Sequence, residues 1–326
     1  VTSIDAIIAV VKDDLDRVEQ GLFVSLEEHQ ELIKNVSNYV LSSGGKRFRP
    51  LVLLLAARLC GYRGESHIPL SCVVEYIHTA TLLHDDVIDH AQIRRGNSSA
   101  NTLWGNHTTI LVGDFLLSKA FSMAVAYGNT AILQVIARAA TLMVEAETLQ
   151  MEHSRDLLLA EEEYLQIITK KTATLISAAA QIGGILAGAG SIREQALADY
   201  GLNMGIAFQI MDDVLDYAST EHNLGKAIGK DLQEGSITLP FIEALQRSSA
   251  SEKKILTELI CRDDDLQPAD MTAIFEIINK YEGNRRAVEK AQRYIRRAEE
   301  ALQAFDAEER LKPLADLARY VVERTG

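Results

Sequence analysis

Cysteine is nearly absent from this chain. Its three copies, Cys60, Cys72 and Cys261, are far apart and form no CxxC pair. An odd number at such spacing excludes a disulfide framework and a cysteine-built zinc site. It points to buried thiols in a reducing compartment, so a cytoplasmic location is expected. Proline is also rare, five in 326 residues, and no segment shows convincing strand alternation. Cations are the minority charge: 33 Lys and Arg against 46 Asp and Glu leave a net charge of -13. That balance argues against a nucleic-acid or anionic-membrane binder. No serine or cysteine sits in a recognisable nucleophile–base motif. Ile4 to Val18 carries Asp5, Lys12, Asp13, Asp14 and Asp16, unlike the apolar core of a secretory leader. A chain that starts at Val1 is expected to lack its initiator or a short leader. Charge is missing altogether from Thr172 to Ile192, a stretch long enough to cross a bilayer. It is rich in Ala, Gly and Ser and contains Gln181, so a helix buried on all sides is expected rather than a membrane span.

Apolar residues make up 47% and charged residues 24%, enough for a large core. Apolar spacing is helical almost throughout. Ser25 with Glu28 reads as a capping box opening a helix to Tyr39, ended by Gly44-Gly45. Pro50 suits the first turn of the next helix, which stops at Gly61, and Pro69 opens another. His90 to Ser99 reads as a polar loop. Helical spacing resumes from Thr109 to Ala126 and from Thr130 to His153, then as one long helix from Ala160 to Ala187. Ser191 with Glu194 reads as a second capping box. Ala218 to Ser236 is a long polar loop of the kind that forms lids, and three or four amphipathic helices follow, one of them Asn284 to Phe305. No linker or composition shift divides the chain. The expectation is one all-α domain over residues 1–326, a bundle around a central apolar cavity.

Two clusters of one pattern dominate the rest: Asp85-Asp86-Val87-Ile88-Asp89 and Asp212-Asp213-Val214-Leu215-Asp216. Positions i and i+4 share a helix face one turn apart, so Asp85 stacks on Asp89 and Asp212 on Asp216. Such pairs repel unless a cation lies between them, and Mg²⁺ with oxygen ligands and phosphate suits them. One copy is weak evidence, since acidic helix ends are commonly just solvated. Two copies suggest the jaws of one metal–diphosphate clamp. Cations lie close by. Lys46, Arg47 and Arg49 follow Gly44-Gly45 at a helix start, which is either a solvated basic turn or an anion site. Arg94-Arg95 follows the first cluster, Lys226 and Lys230 the second, and Lys170-Lys171-Thr172 stands at the edge of the uncharged stretch. His78 lies one turn beyond Glu75. Glu-x-x-His is also a di-iron ligand spacing, but a second copy is lacking. Phe208, one turn before Asp212, is either core or a ring facing a developing cation. With no nucleophile in sight, metal-assisted departure of a leaving group fits best.

Taken together these residues resemble the trans-isoprenyl diphosphate synthases, the polyprenyl synthetase family. The resemblance spans the chain. It rests on GGKRFRP at Gly44–Pro50, both acidic clusters, Arg94-Arg95, Lys171-Thr172, Phe208-Gln209 and GKAIGKD at Gly225–Asp231. The resemblance implies that Asp85, Asp89, Asp212 and Asp216 bind Mg²⁺, three ions per site. It further implies that Arg94, Lys171, Thr172, Gln209 and Lys226 contact an allylic diphosphate, and that Lys46, Arg49, His78 and Arg95 bind isopentenyl diphosphate. The allylic diphosphate leaves, the isopentenyl double bond attacks the cation, and the released diphosphate takes the proton. One departure is Ser236, where many members carry lysine. In the family, bulk four, five or eight positions before the first aspartate shortens the product. Those positions hold Thr81, Ala80 and Ile77; the first two are small, which implies a long chain, octaprenyl favoured, with a floor at Phe121 or Met123. A geranylgeranyl or farnesyl product is the alternative, and a homodimer is expected by analogy. A terpene cyclase would have no use for GGKRFRP and Arg95, and a regulatory subunit or plain helical scaffold no use for both clusters.

Overall fold

The computed structural model describes residues 3–218, 229–262, 266–306 and 308–324. Sixteen α-helices account for most of them. In chain order they are α1 (Ile4–Ala9), α2 (Lys12–Val24), α3 (Glu31–Ser42), α4 (Phe48–Leu59), α5 (His67–Ile88), α6 (Ala100–Tyr127), α7 (Thr130–Glu152) and α8 (Glu161–Ile168). They continue with α9 (Thr174–Leu186), α10 (Ser191–Ala218), α11 (Lys230–Gln233), α12 (Leu239–Arg247), α13 (Ala250–Ile260), α14 (Pro268–Lys280), α15 (Gly283–Ala301) and α16 (Glu308–Glu323).

The uncharged stretch is α9, and its composition has a packing reason. α9 lies between α4 and α10. A Cβ at Gly183 would meet the Leu53 carbonyl oxygen and the Ala57 nitrogen of α4 at 2.8 and 2.7 Å, and one at Gly205 of α10 would meet the Ala173 Cα at 2.5 Å. Real side chains do not approach so closely, so glycine lets these backbones touch. Leu175, Ile176, Ala179, Ala180 and Ile182 are fully buried. The bundle-helix expectation holds here. By length and composition α6 is the helix among the described residues that could span a bilayer. It packs on α5 and leaves Leu111 and Val125 exposed, as is Val144 of α7.

Several expected boundaries move. Ser25 opens no helix: its hydroxyl lies 2.5 Å from the Tyr76 hydroxyl of α5, residues 25–28 are turns, and α3 begins after Gln30. The tertiary partner outcompetes the local cap. Ser191 is the first helical residue of α10 rather than its cap, and the Glu194 N–H donates to the Gly190 carbonyl. The stretch from Ala160 to Ala187 is not one continuous α-helix, because a π-helical turn, Thr169–Ala173, separates α8 from α9. The loop after α5 holds a small antiparallel ribbon, β1 (Ile93–Arg94) with β2 (Asn97–Ser98), in register Ile93 to Ser98. Arg95 and Gly96 turn its tip with positive φ, as a two-residue hairpin requires. Five helices, not three or four, follow the second acidic cluster's loop, and Lys226 within that loop lies outside the described residues.

Candidate active site

α5 and α10 each end in an acidic cluster, and Asp85 and Asp212 line one cavity of about 980 Å³. A smaller hollow of about 280 Å³ shares Asp85, Arg94, Lys171, Thr172 and Gln209 with it and adds Asp89, Lys230 and Asp231. The clusters therefore face a common space.

In the first cluster, among the described residues, no hydrogen bond or ion pair reaches the Asp85 or Asp89 carboxylate. Burial pushes Asp85 up to about 6, with Glu147 and Asp89 adding to the rise and Lys171 opposing it. Asp89 is raised in the same way by burial and by Glu234. The middle residue, Asp86, is buried and faces elsewhere: it pairs with Arg94, and its backbone carbonyl accepts from Asn101. Asp86 thus anchors the hairpin that carries Arg94 and Arg95.

In the second cluster every carboxylate is engaged. Asp212 meets Arg324 at 2.5 Å. Asp213 is buried, accepting from the Tyr164 hydroxyl at 2.5 Å and the Gln209 amide at 2.8 Å. Burial and Asp231 push it well above the usual carboxylate range. Asp216 accepts the backbone N–H groups of Lys230 and Asp231 at 3.2 and 3.1 Å and lines neither cavity. Asp231 itself is pushed up to about 7 by burial, with Asp216 and Glu234 crowding it.

The π-turn delivers Lys171 and Thr172 between the clusters. Lys171 pairs with Glu147 at 2.8 Å and donates to Gln150 at 2.9 Å. Burial alone would lower its pKa, but Asp85 and Glu147 outweigh it and raise the value. Thr172 donates to Gln209 at 2.7 Å, so Gln209 links the π-turn to Asp213. The Gln209 amide is thereby spent on Thr172 and Asp213 in this structure.

The opposite pole is basic. Arg47 caps α4 in a left-handed conformation. It is buried and bonded to Glu19 at 2.7 Å, Glu75 at 3.0 Å and the Leu41 carbonyl at 2.7 Å. It is a structural tie, and it uses up Glu75, which removes the Glu-x-x-His alternative. Arg49 differs: its Nε is buried without a partner, and burial with Arg95 nearby pushes the group down to about 10. Such a cation awaits an anion. His78 lines the same wall, held well below its ordinary value by burial and by Arg49, Arg95, Arg94 and Arg47, so it is neutral. Lys46 bonds the Tyr320 hydroxyl, and Arg95 bonds the Gly44 carbonyl. Arg324 lies 4.1 Å from the Phe208 ring centroid, so that ring already carries a cation on its face.

Tyr320 and Arg324 of the α16 end were not anticipated. They belong to no motif, and a terminal amphipathic helix gives no local signal of where it docks. Of the expected chain-length positions, Thr81 lines the cavity. Ala80 and Ile77 are buried in the core, and Met123 and Phe121 pack partly buried against it without lining the cavity. Leu82, Ile110, Met143 and Val144 form the apolar wall instead. Ser236 accepts from Gln150 at 3.4 Å.

Among the described residues no three acidic, histidine or cysteine side chains form a ready-made metal cage. The donor set still fits a hard ion. Asp85 and Asp89 are oxygen donors on one face, uncompensated by hydrogen bonds, and Mg²⁺ usually takes few protein ligands and completes its shell from phosphate and water.

An all-α bundle with paired aspartate-bearing helices around a deep cavity defines an isoprenoid-synthase type of fold. The polyprenyl synthetase family profile matches residues 30–278. The chain is 40% identical to octaprenyl diphosphate synthase of Escherichia coli, over 79% of this chain and 80% of that one. It is 41% identical to geranylgeranyl diphosphate synthase of Methanosarcina mazei, over 67% and 68%. The crystal structure of a polyprenyl synthase from Caulobacter crescentus, complexed with calcium and isoprenyl diphosphate, superposes with a TM-score of 0.94 at 37% identity, covering 99% of this chain and 98% of that one. The chain belongs to the polyprenyl synthetase family and is a prenyltransferase, a prenyl diphosphate synthase.

Proposed function

We propose that this protein condenses isopentenyl diphosphate head-to-tail (1'-4) with an allylic diphosphate such as farnesyl diphosphate, giving an all-trans long-chain product, octaprenyl diphosphate, for quinone side chains. One observation carries the reading: a single cavity has the unbonded carboxylate of Asp85 at one pole, with Asp89 in the adjoining hollow, and the orphaned Nε of Arg49 at the other.

Asp85, Asp89 and Asp212 are the residues that would hold Mg²⁺, three ions in the full site, which would draw charge from the departing diphosphate. Lys171, kept protonated by Asp85 and Glu147, faces the negative charge that develops on that group. Arg94 lines the same space, and its Nη groups remain free to donate while Asp86 fixes its Nε. Arg49, Lys46 and Arg95 form the isopentenyl diphosphate pole. His78, neutral and a weak base there, orients substrate by hydrogen bonding without competing for the proton. The apolar wall of Thr81, Leu82, Ile110 and Met143 receives the hydrocarbon tail and keeps water from the cation.

The long product is favoured by the likeness to octaprenyl synthases and by the small side chain of Thr81 on the cavity wall. The 41% identity to a geranylgeranyl synthase favours a shorter product as the second reading. A homodimer closed over the exposed apolar residues of α6 and α7, in the cytoplasm, fits this reading. Incubation with radiolabelled isopentenyl diphosphate, farnesyl diphosphate and Mg²⁺, followed by chromatography, tests it. A 40-carbon chain is the expected result; a product stopping at 20 carbons replaces it with the second reading, and no elongation overturns both.

A further inference from the structure

A separate hollow of about 270 Å³ lies at the far end of α4, where the chain turns into α5. Arg58, Arg63 and Arg310 line it, with His67, Tyr62 and Asp14. From Arg49 to Arg58 is nine residues of α4, roughly 14 Å along the helix, so this is not an extension of the aspartate-lined cavity.

Its charge is unusual for this molecule. Acids outnumber cations by 46 to 33, and nearby Arg17 is tied to both Asp14 and Glu65. Yet none of the three guanidinium groups forms a hydrogen bond or ion pair with any described residue. The lining contains one carboxylate, Asp14, and it is already shared between Arg17 and His67, whose Nε2 is 3.3 Å away. The other ring nitrogen of His67, Nδ1, is buried without a partner, a state that normally marks a missing ligand or water. Ser66 makes no side-chain cap to α5, so the positive end of that helix adds to the field. The carbonyls that end α4 give a plain reason for one arginine, Arg58, by helix-dipole pairing. They give none for three exposed arginines lining one hollow beside an orphaned imidazole nitrogen.

We propose that this hollow is a binding site for a small, multiply charged phosphate anion, inorganic diphosphate above all. Planar guanidinium forks match phosphate oxygens two at a time, and three forks suit two linked phosphates better than one. The hollow is under a third of the main cavity in volume, which leaves no room for a long prenyl tail. Diphosphate is the by-product of prenyl transfer, so it is present wherever the enzyme turns over.

The test is calorimetric titration of sodium diphosphate, with EDTA and 150 mM KCl, into wild type, Arg58→Ala/Arg310→Ala and Arg49→Ala. A binding event that survives Arg49→Ala and weakens at least tenfold in the double variant is expected. Orthophosphate and sulfate are expected to bind at least tenfold more weakly than diphosphate. The double variant should keep wild-type melting and basal turnover, since neither arginine touches the aspartate-lined cavity. Should it fail to fold, Arg58→Lys/Arg310→Lys keeps the charge and removes the forks, and a severalfold loss of diphosphate affinity is expected from it. Diphosphate binding unchanged in both double variants, or equal affinity for all three anions, would overturn the site.

Discussion

The two aspartate clusters are the same word written twice, and the protein reads them differently. In the first, Asp85 and Asp89 stand on one helix face with no hydrogen bond to their carboxylates among the described residues, and the middle residue anchors a hairpin. In the second, Asp212 is held by Arg324, Asp213 by Tyr164 and Gln209, and Asp216 by the backbone that starts α11. A pattern of side chains sets which carboxylates share a face; the neighbours set what each is free to do. The first cluster is left open, and the second is divided between a carboxylate guarded by Arg324, a buried strut and a loop anchor.

The sharpest way to break this contrast is substitution at matching positions. Asp85→Ala should lower kcat/KM by about a thousandfold or more, roughly 4 kcal/mol of transition-state stabilisation. Asp216→Asn should cost far less in kcat/KM but speed proteolysis around α11. Equal losses in steady-state assays would erase the distinction. Next, Tyr164→Phe should destabilise the fold by about 1–3 kcal/mol, because it strips a buried carboxylate of a donor; urea unfolding reads this. The pH dependence sharpens the first cluster. Asp85 sits near 6, above its unfolded value of about 4, so in the metal-free protein it is protonated below 6 and ionised above. Mg²⁺ affinity should therefore fall, by up to about tenfold per pH unit, as pH drops below 6. Calorimetry in buffers of different ionisation enthalpy should show proton release near pH 6 and none near pH 8. The smallest expected effect is at Arg324. Arg324→Ala frees Asp212 and should tighten Mg²⁺ binding in the absence of substrate about fivefold, on the order of 1 kcal/mol for a partly exposed ion pair.

Much of this was readable before any coordinates. The helical class followed from apolar spacing, and the shared cavity of Asp85 and Asp212 from the recurrence of one acidic pattern at two helix ends. What escaped were partners distant in sequence. Ser25 and Glu28 have the spacing of a cap, yet Tyr76, 51 residues on, takes the serine. Arg47 and Arg49 look alike within one heptapeptide. One is consumed by Glu19 and Glu75 while the other is left unpaired, and no local rule separates them. Arg324 needed the fold itself to bring the chain's last helix to Asp212. Buried Ala80 shows the limit of counting positions back from an aspartate, since Thr81 alone of the expected three lines the wall.

The widened turn at Thr169–Ala173 carries a consequence of its own. A π-turn holds one residue more than an ordinary helical turn and shifts the phase of everything beyond it. Lys171 reaches Glu147 on the adjacent α7 because it escapes the rhythm that buries Tyr164 before it and Ile176 after it. Deleting a single residue here would leave Lys171 and Thr172 in the chain but turn them away from Glu147 and Gln209. Catalytic competence in this segment is a matter of chain length as much as of chemistry.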